Sequence, residues 1–370
     1  MANRRIFFAT QLPGIATLGS NTFTPVHGVE SIGINVNFTL DQIQELGQIS
    51  LYQLVEQIPE VEVTSTKVLD GYPPYICLST YGAPNASLVG RSNQRCSLAL
   101  SVYGDSQSSA SGTPVAQLVC SGLYFSQSSF QFTTDGVFKE TWTAVGNNES
   151  WLSSGFTFTP NFTNNDAPLA LAGSGGVNIR KDMIFFPILT GSYMAGYSQE
   201  RGNSLDTNGQ VIAFLTVLPP DIPGISSSGT NDRDSTGQFG AHITSITCST
   251  NVGRDAILEL GRKEPYFRFA NFPVEVTSEV TVIATNGAGV NATELGLRGD
   301  GNNLIDRSIR LRAREGTFID LGTKNKLTGW SYGGGDTTGG QVSITYSYKT
   351  FNDYTVTHPQ DPSPGIAYPY

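Results

Sequence analysis

The stretch SIGINVNFTLDQIQELGQISLYQLVEQIPEVEVTS at 31–65 recurs in the same chain as SITCSTNVGRDAILELGRKEPYFRFANFPVEVTS at 245–278. At a shift of 214, Ser31, Ile32, Asn37, Asp41 and Ile43 meet Ser245, Ile246, Asn251, Asp255 and Ile257. Glu45, Leu46, Gly47, Tyr52 and Pro59 likewise meet Glu259, Leu260, Gly261, Tyr266 and Pro273. After a slip of one residue, VEVTS at 61–65 meets VEVTS at 274–278. Ordered agreement of this kind marks an internal duplication.

The similarity extends outward from this stretch. RRIFF at 4–8 resembles RKDMIFF at 180–186, and His27 and His242 each precede a repeated strand. SGLYFSQSSFQFTTDGVFKETWTAVGNN near 121–148 resembles TGWSYGGGDTTGGQVSITYSYKTFND near 328–353. The expected organisation is therefore two domains, 1–170 and 171–370. The second carries an insertion at about 187–238, rich in Gly, Ser, Pro and Asn, and a short C-terminal tail.

Within the repeats the hydrophobic period is two, the signature of half-buried strands. Val61 and Val63 alternate with Glu62 and Thr64; Val274 and Val276 alternate with Glu275 and Thr277. Ser343, Thr345 and Ser347 alternate with Ile344, Tyr346 and Tyr348. Pro59 and Pro273 stand just before strands, where a missing donor does least harm. Asp135-Gly136 and Gly339-Gly340 read as hairpin turns. Leu40–Val55 has some helical spacing, but Gly47 interrupts it, and its counterpart has Pro265 after Gly261. A proline inside a helix costs about 3 kcal/mol. Strand–turn–strand is predicted there in both halves, with a short helix near Tyr75–Tyr81. The fold class is all-β with minor helix.

The 370 residues are 38% hydrophobic and 14% charged, with a net charge of −9. Residues 1–170 carry 6 Lys/Arg against 12 Asp/Glu, and residues 171–370 carry 16 against 19. Neither half is a basic footprint for nucleic acid. An acidic surface repels phosphate, so reading of a DNA sequence is disfavoured, whereas DNA sliding past without sticking is compatible. Cys77, Cys96, Cys120 and Cys248 lack zinc-type spacing and read as buried free thiols. Met1–Phe8 does not read as a signal peptide, and no apolar stretch is long enough to cross a bilayer as a helix. No membrane anchoring is expected.

Chemistry-bearing motifs are sparse. Neither G-x-S-x-G nor H-E-x-x-H occurs, and the histidines are His27, His242 and His358. The first two occupy corresponding loops and read as turn residues shared by descent. Asp41, Glu45, Asp255 and Glu259 could form acid/base pairs, but their recurrence in both repeats favours capping a turn or meeting a neighbouring subunit. Gly173–Gly176 and Gly333–Gly340 read as loops, and Gly299–Asn303 lacks the acidic spacing of a calcium loop. Arg310, Arg312 and Arg314 alternate with Ile309, Leu311 and Ala313. They form either a solvated strand face or an inter-subunit contact, for which the acidic excess supplies partners. No enzyme activity, metal or cofactor is expected.

Several runs together resemble the tail tube proteins of tailed bacteriophages, in a duplicated form. They are GVESIG at 28–33, LGQISLYQLVEQIPEVEVTSTKVLDG at 46–71 and GRSNQRCSLALSVYGDSQSSASGTP at 90–114. The hairpin at 121–148, FPVEVTSEVTV at 272–282 and LGTKNKLTGWSYGG at 321–334 add to the resemblance. It implies β-sandwich-like units whose strands join around a ring into one continuous barrel, with rings stacking into a tube. It implies a negatively charged lumen through which genome DNA passes without being bound. Where single-domain members form hexameric rings, a two-domain chain would form trimers. Implied partners are baseplate, terminator and tape-measure proteins and a sheath; the implied location is the virion tail, after synthesis in the host cytoplasm. The alternatives are a baseplate or terminator ring protein, or a receptor- or carbohydrate-binding tail module using Trp142, Trp151 and Trp330.

Overall fold

A computed structural model describes residues 6, 8–20, 22–104, 113–158, 216–225, 229, 240–262, 265–284, 304–313, 315–334, 340–363 and 366. Before residue 159 the strands are β1 (Gln11–Thr17), β2 (Thr24–Pro25), β3 (Val29–Asn37), β4 (Leu40–Gln44), β5 (Leu51–Glu56) and β6 (Glu60–Val68). The short helices α1 (Tyr75–Ser79) and α2 (Leu88–Ser92) follow, then β7 (Arg95–Val102), β8 (Ala116–Thr133), β9 (Lys139–Gly146) and β10 (Asn148–Leu152). The later strands are β11 (Ile243–Asn251), β12 (Arg254–Ile257), β13 (Phe267–Ala270), β14 (Glu275–Ile283) and β15 (Arg310–Arg312). They continue with β16 (Phe318–Asp320), β17 (Lys326–Gly333), β18 (Ser343–Phe351) and β19 (Thr355–Thr357). The protein is all-β with minor helix.

One antiparallel sheet organises the molecule. Its continuous path runs β3–β6–β9–β8–β11–β14–β18–β17. The first four strands and the last four follow the same order, and β3 and β11 start and end at equivalent residues. Both sets also carry a bulge at the same place. Register shifts between Phe125 and Gln127 on β8, and between Leu327 and Gly329 on β17. The extra residue reverses the parity of the strand. Core positions pass from Leu123 and Phe125 to Ser128, Phe130 and Phe132.

β8 is long enough to work twice. Its second half pairs with β9 and β11, while its first half pairs with β7 and β10. β7 continues the sheet to β1 and β2. A separate sheet β15–β16–β19 and the two helices lie over the core face. One hydrophobic cluster runs through both halves, joining Val63, Leu98, Phe130 and Trp142 to Cys248, Val280, Leu311 and Tyr346. Tyr75 stacks on Trp142 with ring centroids 5.0 Å apart, and the Trp142 indole donates to Ser79 Oγ at 3.2 Å. All four cysteines are buried free thiols, and burial pushes Cys96, Cys120 and Cys248 up to about 12.

The predicted strand–turn–strand segments are hairpins, β4–β5 and β12–β13. Their turns place Gly47 and Gly261, equivalent in the repeat, at φ of 93° and 84°, a conformation that favours glycine. The predicted helix is α1. Its first amides, of Tyr75 and Ile76, donate to Glu140 at 2.5 and 3.0 Å. The turn at Gly339-Gly340 lies partly outside the described residues, as do Gly173–Gly176, Gly299–Asn303 and most of the 187–238 insertion. From that insertion, Leu218 and Ile222 join the core, and Asp221 accepts from Arg307 Nε at 2.7 Å.

Candidate assembly interface

Both ends of the eight-strand path are open edges among the described residues. There, β3 pairs only with β6, and β17 only with β18. In the middle of the path the equivalent strands, β11 and β8, pair with each other. Phe130 stands opposite Cys248, and Ser128 opposite Thr250. Those four side chains face the core and are buried.

The same positions on the open edges are not covered. Through the shared register, Trp330 and Tyr332 of β17 occupy the places of Ser128 and Phe130. Trp330 is 42% and Tyr332 56% exposed, against 1% and 0% for their counterparts. On β3, Ile34 and Val36 take the places of Cys248 and Thr250, and each is only half-buried. Two large aromatics and two aliphatics thus lie along the edge strands at opposite ends of one sheet. Natural proteins usually blunt such edges with charge or proline.

The face of the path away from the core is polar and hydroxyl-rich. Thr64 Oγ1 lies 3.4 Å from Thr143 Oγ1, Ser249 Oγ lies 2.8 Å from Thr277 Oγ1, and Thr281 Oγ1 lies 3.0 Å from Thr345 Oγ1. Lysines on this face stand against carboxylates, Lys139 with Glu30 at 2.7 Å and Lys349 with Glu275 at 2.9 Å. Glu62 and Glu279 add negative charge.

The candidate residues read from the sequence fall into two groups. Asp41 and Glu45 lie on the β4–β5 hairpin, and Asp255 and Glu259 on β12–β13, all four exposed. Asp41 accepts from Gln57, and Glu259 pairs with Arg262 at 3.5 Å. The arginines do not form a solvated face. Arg312 is buried, its amide donating to Thr216 Oγ1 at 3.1 Å. Arg310 is partly covered and pairs with Asp320 at 3.2 Å. Both are held in the small β15–β16–β19 sheet by cross-strand packing that alternation alone does not reveal. Arg314 lies outside the described residues.

The histidine and tryptophan candidates lie apart from these edges, Trp330 excepted. His27 stacks on Tyr72 with centroids 3.9 Å apart, beside an open groove of about 700 Å³ lined also by Ile15, Thr24, Leu78 and Tyr81. Trp142 is fully buried and presents no ring to a sugar, whereas Trp151 and Trp330 are exposed. Among the described residues, no three His, Cys, Asp or Glu side chains gather as a metal site requires. The sequence did not reveal β17 and β3 as matching edges, because pairing across halves leaves no local pattern. The signal that could have found them is the pair Trp330 and Tyr332, set on a strand whose topological counterpart carries Ser128 and Phe130.

No protein-family model and no curated protein matches the chain. Among solved structures, it is similar to the tube-terminating cap of the anti-feeding prophage, at 9% identity and a TM-score of 0.29 over 42% of this chain and 95% of that one. It is similar to a chain of the native gene transfer agent virion, at 11% identity and a TM-score of 0.21, covering 30% and 80%. It is also similar to a chain in the tail of an empty gene transfer agent particle refined with C6 symmetry, at 14% identity and a TM-score of 0.22, covering 34% and 91%. Likenesses this slight carry no functional argument.

Proposed function

We propose that this chain is a structural subunit of a virion tail, in which three copies close into a ring of six alike units and rings stack into a tube. The observation that carries this is the β8–β11 junction inside the chain, together with the two open edges that are its counterparts. β17 of one copy meets β3 of the next as β8 meets β11. The expected register sets Tyr332 opposite Ile34 and Trp330 opposite Val36. A surface patch that meets a different patch on an identical neighbour is heterologous, and it closes into a ring when the rotation permits. Backbone pairing supplies the main-chain bonds, and the exposed core-facing side chains supply the burial.

The hydroxyl-rich face lines the lumen in this reading, because helices and the small sheet cover the other face. Threonine and serine offer a passing DNA backbone no positive charge, glutamate repels it, and Lys139 and Lys349 are paired with carboxylates. The hairpin tips, with Leu46, Ile49 and Leu260 fully exposed, are suited to contacts between rings. The tail role agrees with the resemblance of the sequence to tail tube proteins.

Negative-stain electron microscopy over a concentration series tests the ring. Hollow rings built of three chains are expected. Ile34→Lys or Tyr332→Lys places a charge in the seam and is expected to leave folded monomers with unchanged circular dichroism. Val36→Cys with Trp330→Cys is expected to give oligomers linked by disulfides under oxidation. Rings that persist with both lysines present would overturn the seam.

A further inference from the structure

The two hairpins of the chain occupy equivalent places yet differ in chemistry. β12–β13 is seated on the first half by arginines. Arg254 donates through Nε to the Phe125 carbonyl at 3.0 Å and through Nη1 to the Ser92 carbonyl at 2.6 Å. Its guanidinium lies 5.2 Å from the centroid of the Tyr124 ring. Arg268, nearly buried, donates to Asn147 Oδ1 at 3.1 Å and to Glu60 at 3.3 Å.

The hairpin registers set Leu40 in the place of Arg254 and Leu54 in the place of Arg268. The receiving surface changes in step. Strand register matches Val61 to Val276, two residues on from the VEVTS sequence match, so in the second half Phe351 at the end of β18 takes the place of Asn147, which follows β9, and Glu275 that of Glu60. The Glu60 carboxylate is met by Arg268, but Glu275 is met by Lys349 of its own half, so it needs no arginine from a hairpin. Leu54 is 48% and Phe351 52% exposed. An arginine–asparagine contact inside the chain therefore corresponds to a leucine and a phenylalanine that lie open at the two ends of the sheet path.

We infer that the β4–β5 hairpin of one copy seats on the second half of another copy, with Leu54 against Phe351, as the apolar counterpart of the arginine-held junction within the chain. This rests on the proposed ring. The order of halves follows from the fold: β8 and the surface at Asn147 and Glu60 are already taken by the second half of the same chain, which leaves β3 and β17 as the path edges through which copies can join.

A double-mutant cycle on the full chain tests it, read by sedimentation velocity and electron microscopy. Leu54→Arg and Phe351→Asn, made singly, are each expected to raise the concentration for half-assembly by about tenfold. The double variant rebuilds the intrachain contact between copies and is expected to recover most of that loss, so the two changes couple strongly. Rings that form while the singles have no effect, or while their effects simply add, would overturn the hairpin contact and leave the β17–β3 seam standing. Failure of the unaltered chain to form rings at any concentration, with no Val36–Trp330 cross-link in the doubly cysteine-substituted chain, would overturn both.

Discussion

Glu140 shows how one residue links the fold to solution conditions. It is fully buried, and its carboxylate accepts the two amides that open α1. Burial raises its pKa to about 7, with the two backbone bonds and then Lys67 and Arg91 pulling the other way. Glu315, also buried, is likewise raised to about 7 by its burial. A group whose folded pKa lies above its unfolded value contributes stability that is full below the unfolded value, near 4.5, and is lost as pH rises through about 7. Stability from these groups should therefore fall between about pH 5 and 8, by something on the order of 3 kcal/mol for Glu140. Urea midpoints for the Glu140→Gln variant should vary less with pH across that window than those of the unaltered chain. An unchanged slope would mean Glu140 titrates normally.

At the scale of elements, what the sequence made legible was local. Alternation at Val61–Thr64 and Ser343–Tyr348 placed strands, and Gly47 with Gly261 placed two hairpins. A short helix was expected near Tyr75 and α2 was not, though both are five residues long and neither shows a helical period. The start of α2 is marked only by Ser87, whose Oγ accepts from the Gly90 amide at 3.2 Å. Bulges at Ser126 and Thr328 break the period-two pattern midway through β8 and β17, so the full length of β8 could not be read by parity. Of the candidate site, the carboxylates of the hairpins were picked out by their recurrence, whereas the open edges and the burial of Arg312 depend on distant partners. One such long-range tie is the run after β19, which crosses back onto α1 and α2. Arg91 pairs with Asp361, donates to the Val356 carbonyl at 2.9 Å and to Thr80 Oγ1 at 2.6 Å, all away from solvent. Replacing it by leucine leaves the buried Asp361 carboxylate without its charge partner and with the Ser363 amide, at 3.0 Å, still donating to it, a change that typically costs about 3–5 kcal/mol. Arg91→Leu should lower the urea midpoint accordingly and speed proteolysis within 358–363; a midpoint shift under about 1 kcal/mol would show that Asp361 finds water or another partner.

For the whole molecule, the shared sheet and the main buried cluster common to both halves imply that the halves unfold together. Phe130 belongs to the first half and Leu311 to the second, and both are in the same buried cluster. Phe130→Ala and Leu311→Ala should each cost about 2–5 kcal/mol and move one common transition, seen alike by fluorescence and circular dichroism. Two separated transitions, each answering to one variant, would instead show halves that fold independently.

The β8–β11 junction has a kinetic meaning as well. In a ring of three chains, every second joint is already made when the chain has folded. Three chains need about two encounters between molecules before the ring closes on itself, where six separate units would need about five. The built-in joints close at the effective concentration of a tethered pair, about millimolar for short flexible tethers, and they close in one fixed order. Joining two units in one chain thus removes more than half of the diffusional steps and with them the partly assembled rings of odd unit number. In the proposed ring, a pool of such chains would pass from free chain to closed ring with fewer stalled intermediates than a pool of separate single units.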